Sequence, residues 1–162
     1  MEGEFLVIKG RPVVYRAMQI LTLASALIQF ELPPEWQWYP DESGGGAVPP
    51  DRQSVLHVRA ESVDDPAELP NLSRMMASFL TYHLRPVATD ELMPFSVGGG
   101  LGYTWQYMEE WEEEPRIQAI RVWVMGNEQA WAFANFQGPA ALVQTSREQV
   151  DRVISSFRFV EG

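Results

Sequence analysis

LGYTWQYMEEWEEEPRIQAIRVWVMGNEQAWAFANFQ, residues 101 to 137, decides the fold. It divides into Leu101–Met108, Arg116–Met125 and Ala130–Gln137, separated by a run of glutamates and by Gly126-Asn127-Glu128. Each piece is rich in aromatic and β-branched residues and stops at turn chemistry, which predicts three consecutive paired strands. Alternation assigns their faces. Tyr103, Trp105 and Tyr107 share one side of the first strand. Ile120, Val122 and Val124 share one side of the second, with Arg121 and Trp123 opposite. In the third, Trp131 and Phe133 oppose Ala130, Ala132, Ala134 and Phe136, small residues that let a helix approach the sheet closely.

Around this meander, composition sets limits. A chain of 162 residues with 46% hydrophobic and 21% charged residues suits one folded domain and excludes a disordered one. The net charge of −10 disfavours generic binding to nucleic acid or to an anionic membrane surface, and leaves a basic protein partner open. Without cysteine there is no disulfide, thiol nucleophile or thiolate metal site. His57 and His83 fall in different expected elements, so no metal site and no cofactor are assigned.

Residues 17 to 30 (AMQILTLASALIQF) are apolar, and Ala24-Ser25-Ala26 has the small residues of a signal-peptide cleavage site. The acidic start Met1-Glu2-Gly3-Glu4 and the interruptions at Gln19 and Thr22 depart from that pattern. The stretch is also too short to span a bilayer. Packed strands are expected, and a cytoplasmic rather than exported protein.

In chain order, Phe5–Ile8 and Pro12–Tyr15 form a hairpin pattern around Gly10-Arg11. Ala26–Leu32 alternates as a strand that Pro33-Pro34 stops, and Glu35–Tyr39 reads as another. Asp41–Pro50 (DESGGGAVPP) has the composition of a surface loop, and no lysine-serine follows Gly44–Gly46 to make a phosphate loop. Ser54–Ser62 alternates cleanly, with Leu56, Val58 and Ala60 inward and His57, Arg59 and Glu61 outward. Asp65-Pro66-Ala67-Glu68 resembles a helix start, although Pro70 moves the regular helix to Asn71. Leu72, Met75 or Met76, Phe79, Leu80 and His83 or Leu84 give its apolar stripe, and Pro86 closes it. Pro94–Val97 is a short strand before the turn Gly98-Gly99-Gly100. A capping box at Thr145–Glu148 or Ser146–Gln149 opens a last helix with Val150, Val153 and Ile154 inward, and Phe157–Val160 returns as a strand.

Three motifs together resemble the PsbP family and its wider relatives, which include a Ran-binding import factor and bacterial proteins. They are Phe30-Glu31-Leu32-Pro33-Pro34-Glu35-Trp36, Val97-Gly98-Gly99, and Val153-Ile154-Ser155-Ser156-Phe157-Arg158-Phe159. Glu35 stands where the family usually has glycine. The resemblance covers roughly residues 27 to 160, leaving 1 to 26 as extra apolar strands of a single domain spanning 1 to 162. It implies an α+β fold: a central antiparallel sheet of six or seven strands flanked by two main helices, an α/β/α sandwich. It also implies a tendency toward protein binding. Its motifs are structural, so it transfers no catalytic residue.

Two constellations are candidate partner-binding sites. Glu109, Glu110, Trp111, Glu112, Glu113 and Glu114 place five carboxylates around a tryptophan at a hairpin tip, chemistry that anchors and steers a basic partner. Trp36 and Trp38 can flank a groove, or cover a sheet edge or core. Carboxylate pairs such as Asp41-Glu42 and Asp90-Glu91 lack the spacing of any catalytic motif. The expectation is a non-catalytic protein- or peptide-binding adaptor domain, extending to a chaperone-like role, with homodimerisation through an edge strand as a further candidate. The alternative is a small-molecule carrier or enzyme with a pocket between helix and sheet.

Overall fold

The computed structural model describes residues 3–8, 11–110 and 117–160, the first two strands through their backbone alone. Those strands, β1 (Gly3–Ile8) and β2 (Arg11–Arg16), pair antiparallel as a two-stranded ribbon. Next come β3 (Gln19–Leu23), β4 (Ile28–Leu32), β5 (Gln37–Pro40), β6 (Gly44–Val48) and β7 (Val55–Ser62). Helix α1 (Leu72–Tyr82) precedes β8 (Met93–Val97), β9 (Gly100–Glu110), β10 (Ile117–Gly126) and β11 (Ala130–Pro139). The chain ends with α2 (Ala140–Thr145), α3 (Arg147–Ser155) and β12 (Arg158–Phe159).

The meander forms as its sequence demands. β9, β10 and β11 pair antiparallel in order, and Gly99 takes φ +74° in the turn that leads into β9. The full sheet has seven antiparallel strands in the order β5-β6-β7-β11-β10-β9-β8. A second sheet, β12-β4-β3, packs on one of its faces.

Each face carries its own core. Ile120, Val122 and Val124 of β10 pack with Met76 and Leu80 of α1, while Tyr103, Trp105, Tyr107 and Phe133 close the sides. On the other face the alanines of β11 lie with Leu56, Val58, Trp123 and Met125. The small side chains admit not only the last helices, through Val143, Val150, Val153 and Ile154, but also Ile28, Phe30 and Leu32 of the second sheet. Phe30 stacks on Phe157 at 4.5 Å between centroids. Fully burying each such side chain contributes about 1.5–3 kcal/mol.

Three local expectations are corrected. The glycine-rich stretch 44–48 is not a surface loop but strand β6, hydrogen-bonded between β5 and β7. A Cβ on Gly44 would lie 1.9 Å from the Val58 carbonyl oxygen, and one on Gly45 would lie 2.6 Å from the Trp38 ring. Composition signalled a loop because these positions lack side chains, and they lack them because neighbouring atoms fill the space. Second, α3 begins after Ser146 without a side-chain capping bond, since α2 runs directly into it and occupies the backbone there. Third, Ala26 belongs to a turn rather than to β4. Ala24, Ser25 and Ala26 all take left-handed conformations (φ +53°, +56°, +67°) between β3 and β4.

Helix α1 starts where expected. The Asn71 side chain accepts from the Arg74 amide at 3.1 Å, while Asp65 caps only a short 3-10 turn before Pro70. Its end is a Schellman motif: the Arg85 amide donates to the Leu80 carbonyl at 2.7 Å and the Leu84 amide to Thr81 at 3.0 Å. The left-handed residue of that motif is Leu84, at φ +59°.

Candidate functional site

The C-terminal end of α1 lies against the end of β9 that leads into the glutamate run. The Arg85 guanidinium sits 5.6 Å from the Tyr107 ring centroid, and its Nη2 donates to the Met108 carbonyl at 3.4 Å. Burial pushes the Tyr107 hydroxyl above its ordinary pKa, the Glu109 charge pushes it further, and Arg85 partly opposes both. Glu109 therefore projects on the α1 side, while Glu110 pairs across to Ile117 and shares the opposite face with it.

Large apolar side chains stand exposed around these charges. Tyr82 is 83% exposed, Leu84 81%, Met108 64% and Ile117 55%. Tyr82 and Leu84 flank the α1 terminus; Met108 and Ile117 lie on the two paired strands of the hairpin. Leu84 combines its exposure with a backbone conformation that costs a non-glycine residue about 1 kcal/mol. Glycine would relieve that conformation, and no burial recompenses leucine there.

Of the glutamate run, Glu109 and Glu110 belong to β9, whereas Trp111, Glu112, Glu113 and Glu114 lie outside the described residues. The two other tryptophans lie elsewhere. Trp36 is 2% exposed, stacked on Phe136 and donating from Nε1 to Gln149 Oε1 at 3.1 Å. It takes the core position of its two readings and shows no surface to a partner. Trp38 is half-buried on the far edge strand β5, edge-on to Phe30 at 5.6 Å, and lines a pocket of about 640 Å³ with the Ala24–Ala26 turn. Neither joins the acidic end.

The middle of the contact between α1 and the sheet is packed by Met76 and Leu80, and a cavity of about 400 Å³ opens at the N-terminal end of α1 between Leu72, Ser73, Phe95 and Tyr103. Trp105, Trp123 and Trp131 line none of the described cavities; Trp123 and Trp131 are 4% and 6% exposed. A cleft of about 800 Å³ opens at the opposite end of the sheet between the residues preceding α1, the Gly99 turn and the Asn127 turn. The Asn127 side chain there is spent on its own turn, accepting from the Gln129 and Ala130 amides. His57 lies on the solvent side of β7, and the His83 ring lies tilted against Phe79 at 4.4 Å between centroids. Among the described residues, no group of three or more histidine or acidic side chains is placed to hold a metal ion, and no helix is long and apolar enough to cross a membrane.

No family model matches the sequence, and no curated protein does. Solved structures match the architecture well. Cyanobacterial PsbP from Synechocystis superposes with a TM-score of 0.59 at 14% identity, over 88% of this chain and 92% of that one. The fold is PsbP-like. LpqN of Mycobacterium tuberculosis, involved in cell envelope biogenesis, gives 0.58 at 14% identity over 90% and 93%. A Bacteroides thetaiotaomicron protein gives 0.61 at 13% over 88% of this chain, which spans about half, 48%, of its length. One rim of this PsbP-like sheet carries Glu109 and Glu110, exposed apolar side chains and a left-handed leucine.

Sequence reasoning marked the glutamates of this rim but read Met108 and Ile117 only as parts of strands and did not single out Tyr82. It placed His83 or Leu84 last in the apolar stripe of α1, which is corrected: Leu84 lies past the helix end and is 81% exposed. Pro86, two residues on, was the one local sign that Leu84 lies past the helix end.

Proposed function

We propose that this chain is a non-catalytic adaptor domain that binds a basic polypeptide with an apolar face at the acidic end of its sheet. The observation that carries this is Leu84, held exposed in a left-handed conformation next to the exposed Tyr82 at the end of α1 that Arg85 ties to the Glu109 end of β9. An outlier retained at a cost, with nothing buried in return, points to an external contact. Apolar side chains supply the anchoring, and the carboxylates supply charge complementarity and steering. Met76 and Leu80 fill the middle of the contact between α1 and the sheet, whereas the alternative of a small-molecule carrier rests on the cavity of about 400 Å³ at the N-terminal end of α1. Protein binding is also what the PsbP-like fold suggests by analogy.

The experiment is crosslinking capture from native lysate, followed by identification and direct titration of the purified partner. Wild type is compared with Leu84→Gly and Trp111→Ala. Leu84→Gly is expected to stabilise the domain by about 1 kcal/mol while weakening the partner at least tenfold. Binding should weaken as salt rises. A partner that binds Leu84→Gly and Trp111→Ala as tightly as wild type places the interface elsewhere. A chain that captures nothing overturns the adaptor reading, and thermal-shift screening with small molecules then takes its place.

A further inference from the structure

Arg121 is the one charged side chain buried among the described residues, 8% exposed in the middle of β10. Its Nη2 donates to Asp151 Oδ1 of α3 at 2.6 Å, and its guanidinium lies 4.8 Å from the Trp123 ring centroid. Its Nη1 has no hydrogen-bond partner among the described residues. An unsatisfied donor on a buried cation is costly, and native proteins rarely tolerate it without an occupant.

Arg121 lines a cavity of about 210 Å³ between the β9–β10 strands and the α2–α3 junction. Gln106, Gln144 and Arg147 line the same space. Arg147 donates from Nη1 to Gln106 Oε1 at 3.2 Å, which fixes a second guanidinium at the rim. Asp151 is half-exposed, so its charge is shared with water. Two arginines against one wet carboxylate make an island of positive charge on a chain whose net charge is −10. The ion pair and the Trp123 ring hold the Arg121 fork in one orientation, which is the preorganisation an oxyanion receptor needs.

We propose that this cavity binds a small free oxyanion, a carboxylate or a phosphate, between Arg121 and Arg147. The volume equals about seven waters at about 30 Å³ each, enough for one such group and too little for a drug-sized ligand. The site lies on the face of the sheet opposite α1 and borders the acidic end, since Met108 lines the cavity too.

The test is calorimetric titration and thermal unfolding with acetate and with inorganic phosphate, at constant ionic strength against chloride. Three proteins are compared: wild type, Arg147→Gln at the rim, and Asp151→Asn. Saturable binding is expected for wild type with at least one probe, the tighter probe identifying the oxyanion class. Arg147→Gln should weaken it about tenfold with little change in unfolding in chloride. Asp151→Asn should be less stable in chloride and tighten the anion several-fold, with the anion restoring the lost stability, since the freed Nη2 then serves the ligand. A purely structural ion pair predicts loss of stability without rescue. No saturable binding to wild type overturns the proposal and leaves water as the occupant. Binding that neither substitution alters also overturns it, placing the anion elsewhere.

Discussion

Replacing Gly44 and Gly46 in turn by alanine tests the reading of β6 with a control inside the same strand. A Cβ on Gly44 lies 1.9 Å from the Val58 carbonyl oxygen, whereas one on Gly46 meets nothing closer than Val55 Cγ2 at 3.6 Å. Real Cβ atoms essentially never approach within 3.0 Å, so β6 must withdraw from β7 by at least 1.1 Å, the difference of those two distances. The withdrawal strains two backbone bonds at that end, Ala60 N–H to Ser43 O at 2.7 Å and Asp41 N–H to Gly44 O at 3.0 Å. Two weakened bonds at about 1 kcal/mol each, with overpacking of about 1–3 kcal/mol, set the loss for Gly44→Ala at about 3–5 kcal/mol. Gly46→Ala should be neutral or stabilising by about 0.5 kcal/mol, because alanine has less backbone entropy to lose on folding. Urea denaturation at neutral pH measures both. At about 2–4 °C per kcal/mol, Gly44→Ala should also lower the melting temperature by roughly 6–20 °C. Equal effects of the two substitutions, or a loss below about 1 kcal/mol at Gly44, would refute the reasoning.

Tyr107 ties the acidic end to alkaline pH. Its folded pKa is raised by burial and Glu109, so its contribution is fully present below about pH 10 and is lost as pH rises through the folded value. Urea midpoints should fall between pH 9 and pH 11 more steeply for wild type than for Tyr107→Phe; parallel curves would contradict this. Asp51 acts at the other extreme. Burial alone would raise its carboxyl pKa, but the Gln53 and Ser54 amides and the Ser54 hydroxyl outweigh burial and hold it below the ordinary value. That stability is present above about pH 4 and is lost as pH falls through the folded value, so Asp51→Asn should flatten the acid limb of the stability curve. Trp36→Phe keeps a ring near Phe136 but deletes the bond to Gln149, and should cost about 1–2 kcal/mol by denaturation while leaving partner capture unchanged.

The part of the fold legible in the sequence is the part whose neighbours are close in sequence. β9, β10 and β11 show themselves through alternation and turns, and α1 through Asn71 and its apolar stripe, because the residues that specify them are local. β6 does not, since its glycines answer to Val58 and Trp38, and a chain that must leave space for its neighbours has the composition of a loop. The second sheet is hidden for a related reason. β4 was readable as a strand, but its partner β12 lies about 130 residues on, and Ser156 Oγ accepts from the Glu31 amide across the same gap.

The same rule divides the two sites. The glutamates of the acidic end are visible as composition, but their surroundings are not, because the end of α1 reaches β9 only through tertiary docking, where Arg85 donates to the Met108 carbonyl. Arg121 was placed correctly on the face of Trp123 by alternation alone. What alternation cannot supply is its surroundings: the cavity exists because α2, masked in the sequence by Gly138-Pro139, carries Val143 and Gln144 over β10. A cation in the middle of an apolar strand is therefore a sequence signal in its own right. Once both faces of the sheet are covered, such a residue must find an ion pair, an aromatic face or a ligand, and Arg121 has the first two with one donor still to satisfy.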